Sequence, residues 1–150
     1  MRRPTSTDLG KLPLFGGLPD DALRAFADQA DVRLVEPGIE IFHEDDAART
    51  LYVLESGSLD VVKKKAEGEI QLSRIRPGES FGEMSFIDMQ PRSATVRATS
   101  TSTVWVWPYS TFHDRYCKDS KCYTLLVMNL ARELSRRLRR ADDMLASNRA

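Results

Sequence analysis

The chain has 150 residues, of which 41% are hydrophobic and 29% are charged, which suits one globular domain with a substantial core. Its 22 basic and 22 acidic side chains cancel, so the total charge does not indicate wholesale binding to nucleic acid or to an anionic membrane. No apolar run approaches the roughly 18 to 20 residues of a membrane span, and the polar start is unlike a signal peptide. We therefore expect one cytoplasmic domain, residues 1–150.

The N-terminal part predicts a loose start followed by short helical structure. Residues 1–8 are polar, and we expect them to be loose. The apolar segment Leu9–Leu18 contains a proline and two adjacent glycines, which indicates a short piece that docks on something else. Asp20–Ala30 predicts a helix, because acids occupy its first turn after Pro19 and apolar residues recur on one face.

Between residues 30 and 107 the pattern changes to short runs of β-forming residues separated by turns. Glycines at positions 38, 57, 68 and 78 mark four of the turns. Seven or eight short strands at this spacing predict a mainly β fold, an antiparallel sandwich or jelly-roll barrel, rather than a parallel α/β sheet. The predicted strands are Val32–Val35, Ile39–Phe42, Thr50–Glu55, Ser58–Lys63, Glu69–Ile75, Ala94–Thr99 and Thr103–Trp107.

The stretch Gly78–Arg97, which we call the cassette, combines features that suit an anion. Gly82 removes the side chain at a point where a ligand can approach the backbone. Glu83–Ile87 can form one helical turn, whose free N–H groups point at an anion. Arg92 follows the stiff Pro91 and brings a guanidinium back toward that turn. The cassette is therefore predicted to hold a phosphate.

Two charged side chains of the cassette complement a cyclic phosphodiester and its sugar. The guanidinium of Arg92 can donate two charge-assisted hydrogen bonds to phosphate oxygens. The carboxylate of Glu83 can accept a hydrogen bond from a ribose hydroxyl. The alternative is an ordinary salt bridge on a loop, which contributes roughly 0 to 1 kcal/mol. The glycine, the proline and the small residues together favour a ligand site.

The last predicted strand carries valines and tryptophans on opposite faces. Val104 and Val106 are expected to face the β core. Trp105 and Trp107 either cover the adjoining helices or are partly exposed, and core packing is favoured. Pro108–Tyr116 then predicts a short helix.

A long helix is predicted for Lys121–Ser147, about 27 residues and about 40 Å at ~1.5 Å per residue. Its apolar residues recur at steps of three and four, which gives a narrow seam suited to another helix. The seam either packs on the chain's own β strands, or its outer half pairs with the same helix of a second subunit to form a homodimer, which we prefer. The helix also carries several arginines, and i,i+4 pairs such as Glu133 with Arg137 favour a solvated, salt-bridged surface over a nucleic-acid interface. The seam consists of Val127, Leu130, Leu134, Leu138, Ala141 and Leu145.

The motif Phe81-Gly82-Glu83, followed after seven residues by Pro91-Arg92-Ser93-Ala94-Thr95-Val96, resembles the phosphate-binding cassette of the cyclic nucleotide-binding domain family. Members of this family include proteins of the catabolite activator and protein kinase A regulatory subunit type. The resemblance extends over residues 12–145. It implies a β-roll at about residues 30–107 with N-terminal helices, a short cassette helix, and C-terminal helices at about residues 108–147.

The resemblance also implies roles for individual residues. In the family the arginine pairs with the cyclic phosphate, the glutamate accepts from the ribose 2′-hydroxyl, and backbone N–H groups complete the phosphate site. The C-terminal helix closes over the base, at a point where this chain has Ala141 and Asp142 instead of the hydroxyl side chains of the catabolite activator type. The implied ligand-binding residues are Val62, Leu72, Phe81, Gly82, Glu83, Met84, Ser85, Arg92, Ser93, Ala94 and Asp142.

The leading hypothesis is a non-enzymatic sensor that binds a cyclic nucleotide, with cAMP preferred, and couples binding to movement of its C-terminal helix. One alternative is a cGMP-binding version of the same sensor, because Ser93 offers a hydroxyl directly after the arginine. Another is a ligand-free interaction module with the same fold. The effector protein is left open. Direct DNA binding is not expected, because too few residues follow the long helix for a helix-turn-helix.

An enzyme is the disfavoured class. Jelly-roll metalloenzymes need clustered His and carboxylate ligands, whereas His43 and His113 are 70 residues apart. No G-x-S-x-G or similar nucleophile motif is present. We therefore expect no metal and no catalytic cofactor, with cAMP or cGMP as a bound ligand. Cys117 and Cys122 are spaced unlike a zinc or redox motif, so we expect two reduced thiols.

Overall fold

A computed structural model describes residues 2–149, without the side chains at positions 116, 117 and 149, so the prediction for Cys117 falls outside the described residues. The strands in this range are β1 (Asp31–Val35), β2 (Glu40–Phe42), β3 (Thr50–Ser56), β4 (Leu59–Lys65), β5 (Gly68–Ile75), β6 (Ser80–Phe81), β7 (Thr95–Ala98) and β8 (Ser102–Pro108). They form two four-stranded antiparallel sheets, of order β1-β8-β3-β6 and β2-β7-β4-β5. The predicted mainly β fold is confirmed. The strand β6 was not predicted, because two residues are too few to show an alternating pattern.

Five helices and one 3₁₀ turn flank the sheets in the described range. They are α1 (Ser6–Gly10), the 3₁₀ turn (Pro13–Phe15), α2 (Asp20–Gln29), α3 (Met84–Asp88), α4 (Tyr109–Lys118) and α5 (Ser120–Arg149). The boundaries predicted for the last four of these helices agree to within about two residues, which is the usual uncertainty of helix ends. Among the described residues, no helix combines the length and the apolar character that crossing a bilayer requires.

The prediction that residues 1–8 are loose was wrong for the part that leads into α1. The Thr5 hydroxyl accepts from the Asp8 N–H at 3.1 Å, and the Asp8 carboxylate accepts from the Thr5 N–H at 2.8 Å. This reciprocal capping box satisfies two N–H groups that a helix start would otherwise leave free. Leu9 of α1 is fully buried in the core. The spacing of Thr5 and Asp8 was the sequence signal for this helix.

The strand β8 separates two hydrophobic cores. Val104 and Val106 belong to the core between the sheets. Trp105 and Trp107 belong to the core between one sheet and the helices, where the indole N–H of Trp107 donates to the Phe26 carbonyl at 2.8 Å. The prediction that the tryptophans cover the helices is confirmed.

The first half of α5 packs on the helical core, and its second half projects away. The buried face of α5 is not the predicted seam, because Leu130 is the only one of the six seam residues that is buried. Every residue from 138 to 148 is exposed. The helix therefore overhangs its own domain, as predicted. The buried residues of α5 in the described range are Cys122, Leu126, Asn129, Leu130 and Glu133.

Asn129 ties α5 to the N-terminal segment, and its removal should destabilise the fold. Its side-chain amide donates to the Leu14 carbonyl at 2.9 Å and to the Gly16 carbonyl at 3.0 Å. Because Asn129→Ala leaves both carbonyls without this donor, we expect the free energy of unfolding to fall by about 1 to 3 kcal/mol in denaturant titrations. Ser135→Ala, at an exposed position of the same helix, is the control and should change it by less than about 0.5 kcal/mol. Equal effects of the two variants would contradict this role of Asn129.

Candidate functional site

The parts of the cassette meet where β6 ends, α3 begins and the chain returns to β7. Gly82 has a φ of +82°, in the left-handed region that favours glycine, and turns the chain from β6 toward α3. The Arg92 N–H donates to the Asp46 carbonyl at 2.9 Å, and the Asp45 N–H donates to the Arg92 carbonyl at 2.8 Å. These bonds fix the backbone of Arg92 against the loop after β2. The glycine turn, the short helix and the returning arginine are therefore assembled in one place.

The Arg92 side chain points into the protein, and the residue is only 4% exposed. Its Nη1 donates to the Gly82 carbonyl at 3.0 Å and to the Tyr109 hydroxyl at 3.2 Å. Its Nη2 donates to the Thr50 carbonyl at 2.8 Å and contacts the Thr50 hydroxyl at 3.3 Å. The guanidinium carbon lies 4.0 Å from the ring centroid of Phe42, where cation–π attraction contributes. The Nε–H is buried and has no hydrogen-bond partner among the residues that the structure describes.

Gly82 is needed for the approach of this guanidinium. A Cβ at Gly82 would lie 2.8 Å from Nη1 of Arg92 and 3.1 Å from the Thr50 carbonyl oxygen. The sequence predicted that a ligand approaches the backbone here. In this structure the group that approaches is the arginine of the cassette itself, so Gly82 permits the buried position of the cation.

Glu83 is 2% exposed and pairs with an arginine of α5. Arg137 contacts the Glu83 carboxylate through Nη1 and the Ser80 carbonyl through Nη2, and its Nε lies 3.6 Å from a carboxylate oxygen of Glu133. The alternative of a salt bridge between Glu83 and Arg92 is wrong, because Arg137 takes that place. Arg137 was predicted to lie on a solvated surface and to pair with Glu133. The pairing with Glu133 is present, whereas the contact with Glu83 was not predicted. The Oε2 atom of Glu83 is buried and has no hydrogen-bond partner within the described part of the chain.

Tyr109 connects the cassette to the C-terminal helices and was not predicted as a site residue. Its hydroxyl donates to the Gly82 carbonyl and accepts from Nη1 of Arg92. Its ring meets Phe86 of α3 edge-on, with 5.1 Å between the ring centroids. Burial raises the pKa of Tyr109, so the phenol remains a protonated donor at neutral pH. A tyrosine at the start of a predicted helix gives no sequence signal for this role.

An exposed rim lies between the start of α3 and the start of β7. Ser85 is buried, whereas Met84 and Ser93 are exposed and contact each other through sulfur and hydroxyl at 3.8 Å. Lys63 of β4 donates to the Ser93 carbonyl at 3.1 Å and lies 3.6 Å from the Glu44 carboxylate. The structure therefore adds an ammonium group to this rim that the sequence analysis did not predict.

The remaining predicted site residues differ in how far they are exposed and in whether they contact the cassette. Phe81 and Ala94 belong to the cassette itself and are buried. Val62 of β4 is buried as well, whereas Leu72 of β5 is 49% exposed. Asp142 lies on the projecting part of α5, is exposed, and forms no hydrogen bond or ion pair with any described residue of the cassette.

The site combines a buried cation with a buried carboxylate, and each has one polar atom without a partner. The free N–H of Arg92 can donate to an anion, and the free oxygen of Glu83 can accept from a hydroxyl. Within residues 2–149, no group of three or more His, Cys, Asp or Glu side chains is arranged to hold a metal ion. The polar chemistry of the site is therefore suited to a ligand with an anionic group and a hydroxyl group.

The buried carboxylate predicts a pH dependence of stability with a defined sign. Burial raises the pKa of Glu83 above its ordinary value of 4.5, although Arg137 acts in the opposite direction. Because the folded state then binds the proton more tightly, this stability contribution is present below pH 4.5 and is lost as pH rises through the raised pKa. The unfolding free energy of the wild type minus that of Glu83→Gln should therefore fall with rising pH in urea titrations across this window.

Glu69→Gln is a control of opposite sign for this experiment. A hydrogen bond from Arg97 lowers the pKa of Glu69, so its contribution is present above the ordinary pKa and is lost as pH falls. If the difference for Glu83→Gln instead rises with pH, the ion pair with Arg137 outweighs burial and our assignment of the pKa direction is wrong.

Comparison with known proteins identifies the family. Residues 32–118 match the model of the cyclic nucleotide-binding domain. The cyclic AMP receptor protein of Thermus thermophilus is 34% identical over 131 residues, which cover 87% of this chain and 59% of that protein. A cAMP-dependent protein kinase regulatory subunit of Yarrowia lipolytica is 31% identical over 99 residues, which cover 66% of this chain and 25% of that protein. The chain thus spans 59% or less of the length of these two relatives.

The structural comparison agrees with the sequence comparison. The crystal structure of the Thermus thermophilus catabolite activator protein superposes with a TM-score of 0.75 and 32% sequence identity, covering 89% of this chain and 62% of that chain. The chain belongs to the cyclic nucleotide-binding domain family.

Proposed function

We propose that this chain binds cAMP in the cassette and transmits the bound state through α5 to a second subunit or to an effector. Membership of a family of regulatory nucleotide-binding domains supports the general class. The choice of cAMP over cGMP is supported by the relative from Thermus thermophilus, which is a cyclic AMP receptor protein by name. The protein is proposed to be a sensor without catalytic activity of its own.

The single observation that carries this proposal is that two buried polar atoms of the cassette, Nε of Arg92 and Oε2 of Glu83, have no hydrogen-bond partner among the described residues. A buried donor or acceptor without a partner costs roughly 1 to 3 kcal/mol, and more when its group is charged. A cyclic nucleotide carries an anionic phosphate and a ribose hydroxyl, which are the two groups that these atoms lack. Binding would therefore satisfy both atoms at once.

Arg92 can bind the phosphate by giving up only the contacts of Nη2 with Thr50. The guanidinium presents Nε and Nη2 along one edge, which matches two phosphate oxygens. On that edge, of the contacts that described residues can make, Nε has none and Nη2 bonds only with Thr50. We propose that the phosphate replaces Thr50, while Nη1 keeps its contacts with Gly82 and Tyr109. The α3 amides near Met84 and Ser85, with Ser93 at the rim, would complete the phosphate site.

Glu83 can bind the ribose without releasing α5. Its Oε1 is held by Arg137, and its Oε2 is free to accept from the 2′-hydroxyl. Val62 and Leu72 are proposed to contact the base, because Leu72 remains half-exposed on the β-roll and can be covered by a ligand. Asp142 would reach the base only if the projecting half of α5 moves toward the cassette.

Arg137 provides a route from the ligand to α5. It contacts Glu83 and the Ser80 carbonyl in the cassette, and Glu133 on its own helix. A ligand that changes the charge balance around Glu83 also changes how strongly Arg137 holds α5. A ligand shifts a conformational equilibrium by its difference in affinity for the two states, so cAMP would act on α5 by making the contact between Arg137 and Glu83 more or less favourable.

The outer half of α5 is proposed to bind the same helix of a second copy. Leu138 is 63% exposed and Leu145 is 56% exposed, and they lie seven residues apart, which places them on one face. Leu134 and Ala141 extend the same face. Since relatives are longer than this chain, an effector in the remainder of a longer protein is the other proposed recipient of the signal.

Replacement of Arg92 tests the binding mode. Arg92→Ala should weaken cAMP binding by about 2 to 5 kcal/mol in calorimetry, because the phosphate loses its buried charged partner. Arg92→Lys should recover only part of the loss, since an ammonium cannot bind two oxygens side by side. Arg74→Ala is the control, because Arg74 lies on β5 and pairs with Asp60 at the surface.

The result for the control separates specific from general effects of charge. Arg74→Ala should bind cAMP as the wild type does. Titration of the wild type with cGMP in the same buffer tests the nucleotide preference, and weaker binding than with cAMP is expected. Equal cAMP affinity for the wild type and Arg92→Ala would show that the nucleotide does not bind in the cassette.

A charge in the exposed seam tests the proposed dimer. In light scattering, Leu138→Glu should be more monomeric than the wild type, because a dimer of the variant would bury two carboxylates in an apolar contact. Ser147→Glu adds the same charge nine residues further along, on the opposite face of the helix, and should leave the dimer intact. A wild type that is monomeric at all concentrations would contradict the dimer.

A further inference from the structure

Tyr109 is the only residue of α4 that contacts the Arg92 guanidinium among the described residues. Its hydroxyl accepts from Nη1 of Arg92 at 3.2 Å and donates to the Gly82 carbonyl, which accepts from the same Nη1 at 3.0 Å. The three groups form a closed triangle of hydrogen bonds. The guanidinium is therefore fixed at one nitrogen by a side chain that begins α4.

The triangle leaves the opposite edge of the guanidinium available. Among the described side chains and backbone groups, Nε has no partner, and Nη2 bonds only with Thr50, which lies on β3 and not on the helices. A planar guanidinium that is fixed at Nη1 has little freedom to rotate, so the Nε–Nη2 edge is presented in one orientation. Groups that are oriented before binding do not lose that freedom on binding.

The backbone and the ring of Tyr109 are held by their surroundings as well. Its backbone N–H donates to the Arg49 carbonyl at 2.8 Å, at the residue before Thr50. Its ring lies edge-on against Phe86 of α3, with 5.1 Å between the centroids. A shift of the guanidinium toward an anion therefore acts on the start of α4, and α4 is followed after one residue by α5.

On the basis of the proposed function, we infer that Tyr109 is a positioning residue that holds Nη1 of Arg92 for phosphate binding and couples the bound state to α4. The hydroxyl, and not the ring, carries this role, because only the hydroxyl contacts Arg92 and Gly82 by hydrogen bonds. Thr50 has the opposite role, since its contacts with Nη2 are the ones that the phosphate replaces.

The matched variants Tyr109→Phe and Thr50→Val test this inference, because each removes one hydroxyl next to Arg92 and keeps the side-chain shape. Tyr109→Phe should weaken cAMP binding about three- to tenfold in calorimetry, as expected for the loss of one hydrogen bond to a charged group. Thr50→Val should raise the cAMP affinity by up to about threefold, because it removes one contact that competes with the phosphate for Nη2, while the other bond of the hydroxyl, to the Tyr52 hydroxyl at 3.0 Å, does not involve Arg92.

Hydrogen exchange supplies a readout that a loss of stability would not produce. In the wild type, cAMP should change the exchange of the α4 backbone amides. In Tyr109→Phe at saturating cAMP this change should be absent or strongly reduced, whereas Thr50→Val should retain it. In the ligand-free protein, Tyr109→Phe should also speed exchange at residues 82–85, because the Gly82 carbonyl loses a donor that fixes the turn. Thermal unfolding of each variant establishes that it is folded.

The outcomes separate this inference from the proposed function. If the wild type binds cAMP and Tyr109→Phe binds it equally well with the same exchange response in α4, the inference is wrong and the proposed function stands. If Tyr109→Phe binds more tightly, Tyr109 restrains Arg92 against binding, and the inference is also wrong. If the wild type releases no heat with either cAMP or cGMP, the proposed function fails, and the role of Tyr109 fails with it.

Discussion

A buried guanidinium without a carboxylate partner is the feature on which the arrangement of the cassette depends. Arg92 is held by the carbonyls of Gly82 and Thr50, by the Tyr109 hydroxyl and by the face of Phe42, and none of these groups carries a negative charge. A charge in the interior is costly unless it is paired and hydrogen-bonded, and the carboxylate of Glu83, which is near enough to interact electrostatically with Arg92, is hydrogen-bonded to Arg137 instead. The fold therefore maintains a cation that an anionic ligand can neutralise, and the missing Cβ of Gly82 makes this position sterically possible.

The C-terminal helices reach this cation and its neighbouring carboxylate at two separate points. Tyr109, at the start of α4, contacts Arg92, and Arg137, in the middle of α5, contacts Glu83. The exposed seam of α5 begins with Leu138, directly after Arg137. The face proposed to bind a second subunit thus begins at the residue next to Arg137, which contacts the cassette. A change in the cassette can reach the seam without any further element between them.

The sequence predicted the fold, because the fold depends on local patterns. Alternating strands and turn glycines are visible in a short window, so the β-roll was predicted correctly. The cassette motif is equally local, and the structure brings Gly82, Glu83 and Arg92 together, while their role in ligand binding stays a prediction. Arg137 and Tyr109 were missed as site residues, since their roles depend on contacts 54 and 17 residues away in the chain. A pattern of i,i+4 charges cannot tell which arginine of a stripe turns inward. For the same reason, the periodicity of α5 predicted an apolar face but not which face of the helix packs against the domain.

A crystal structure of the protein with cAMP tests most directly whether Arg92 and Glu83 hold the nucleotide. We expect the phosphate to lie within hydrogen-bonding distance of Nε and Nη2 of Arg92, Nη2 to have left the Thr50 carbonyl, and a ribose hydroxyl to donate to Oε2 of Glu83. A complex in which cAMP binds elsewhere, with Arg92 still on Thr50 and both atoms still without partners, would contradict this expectation.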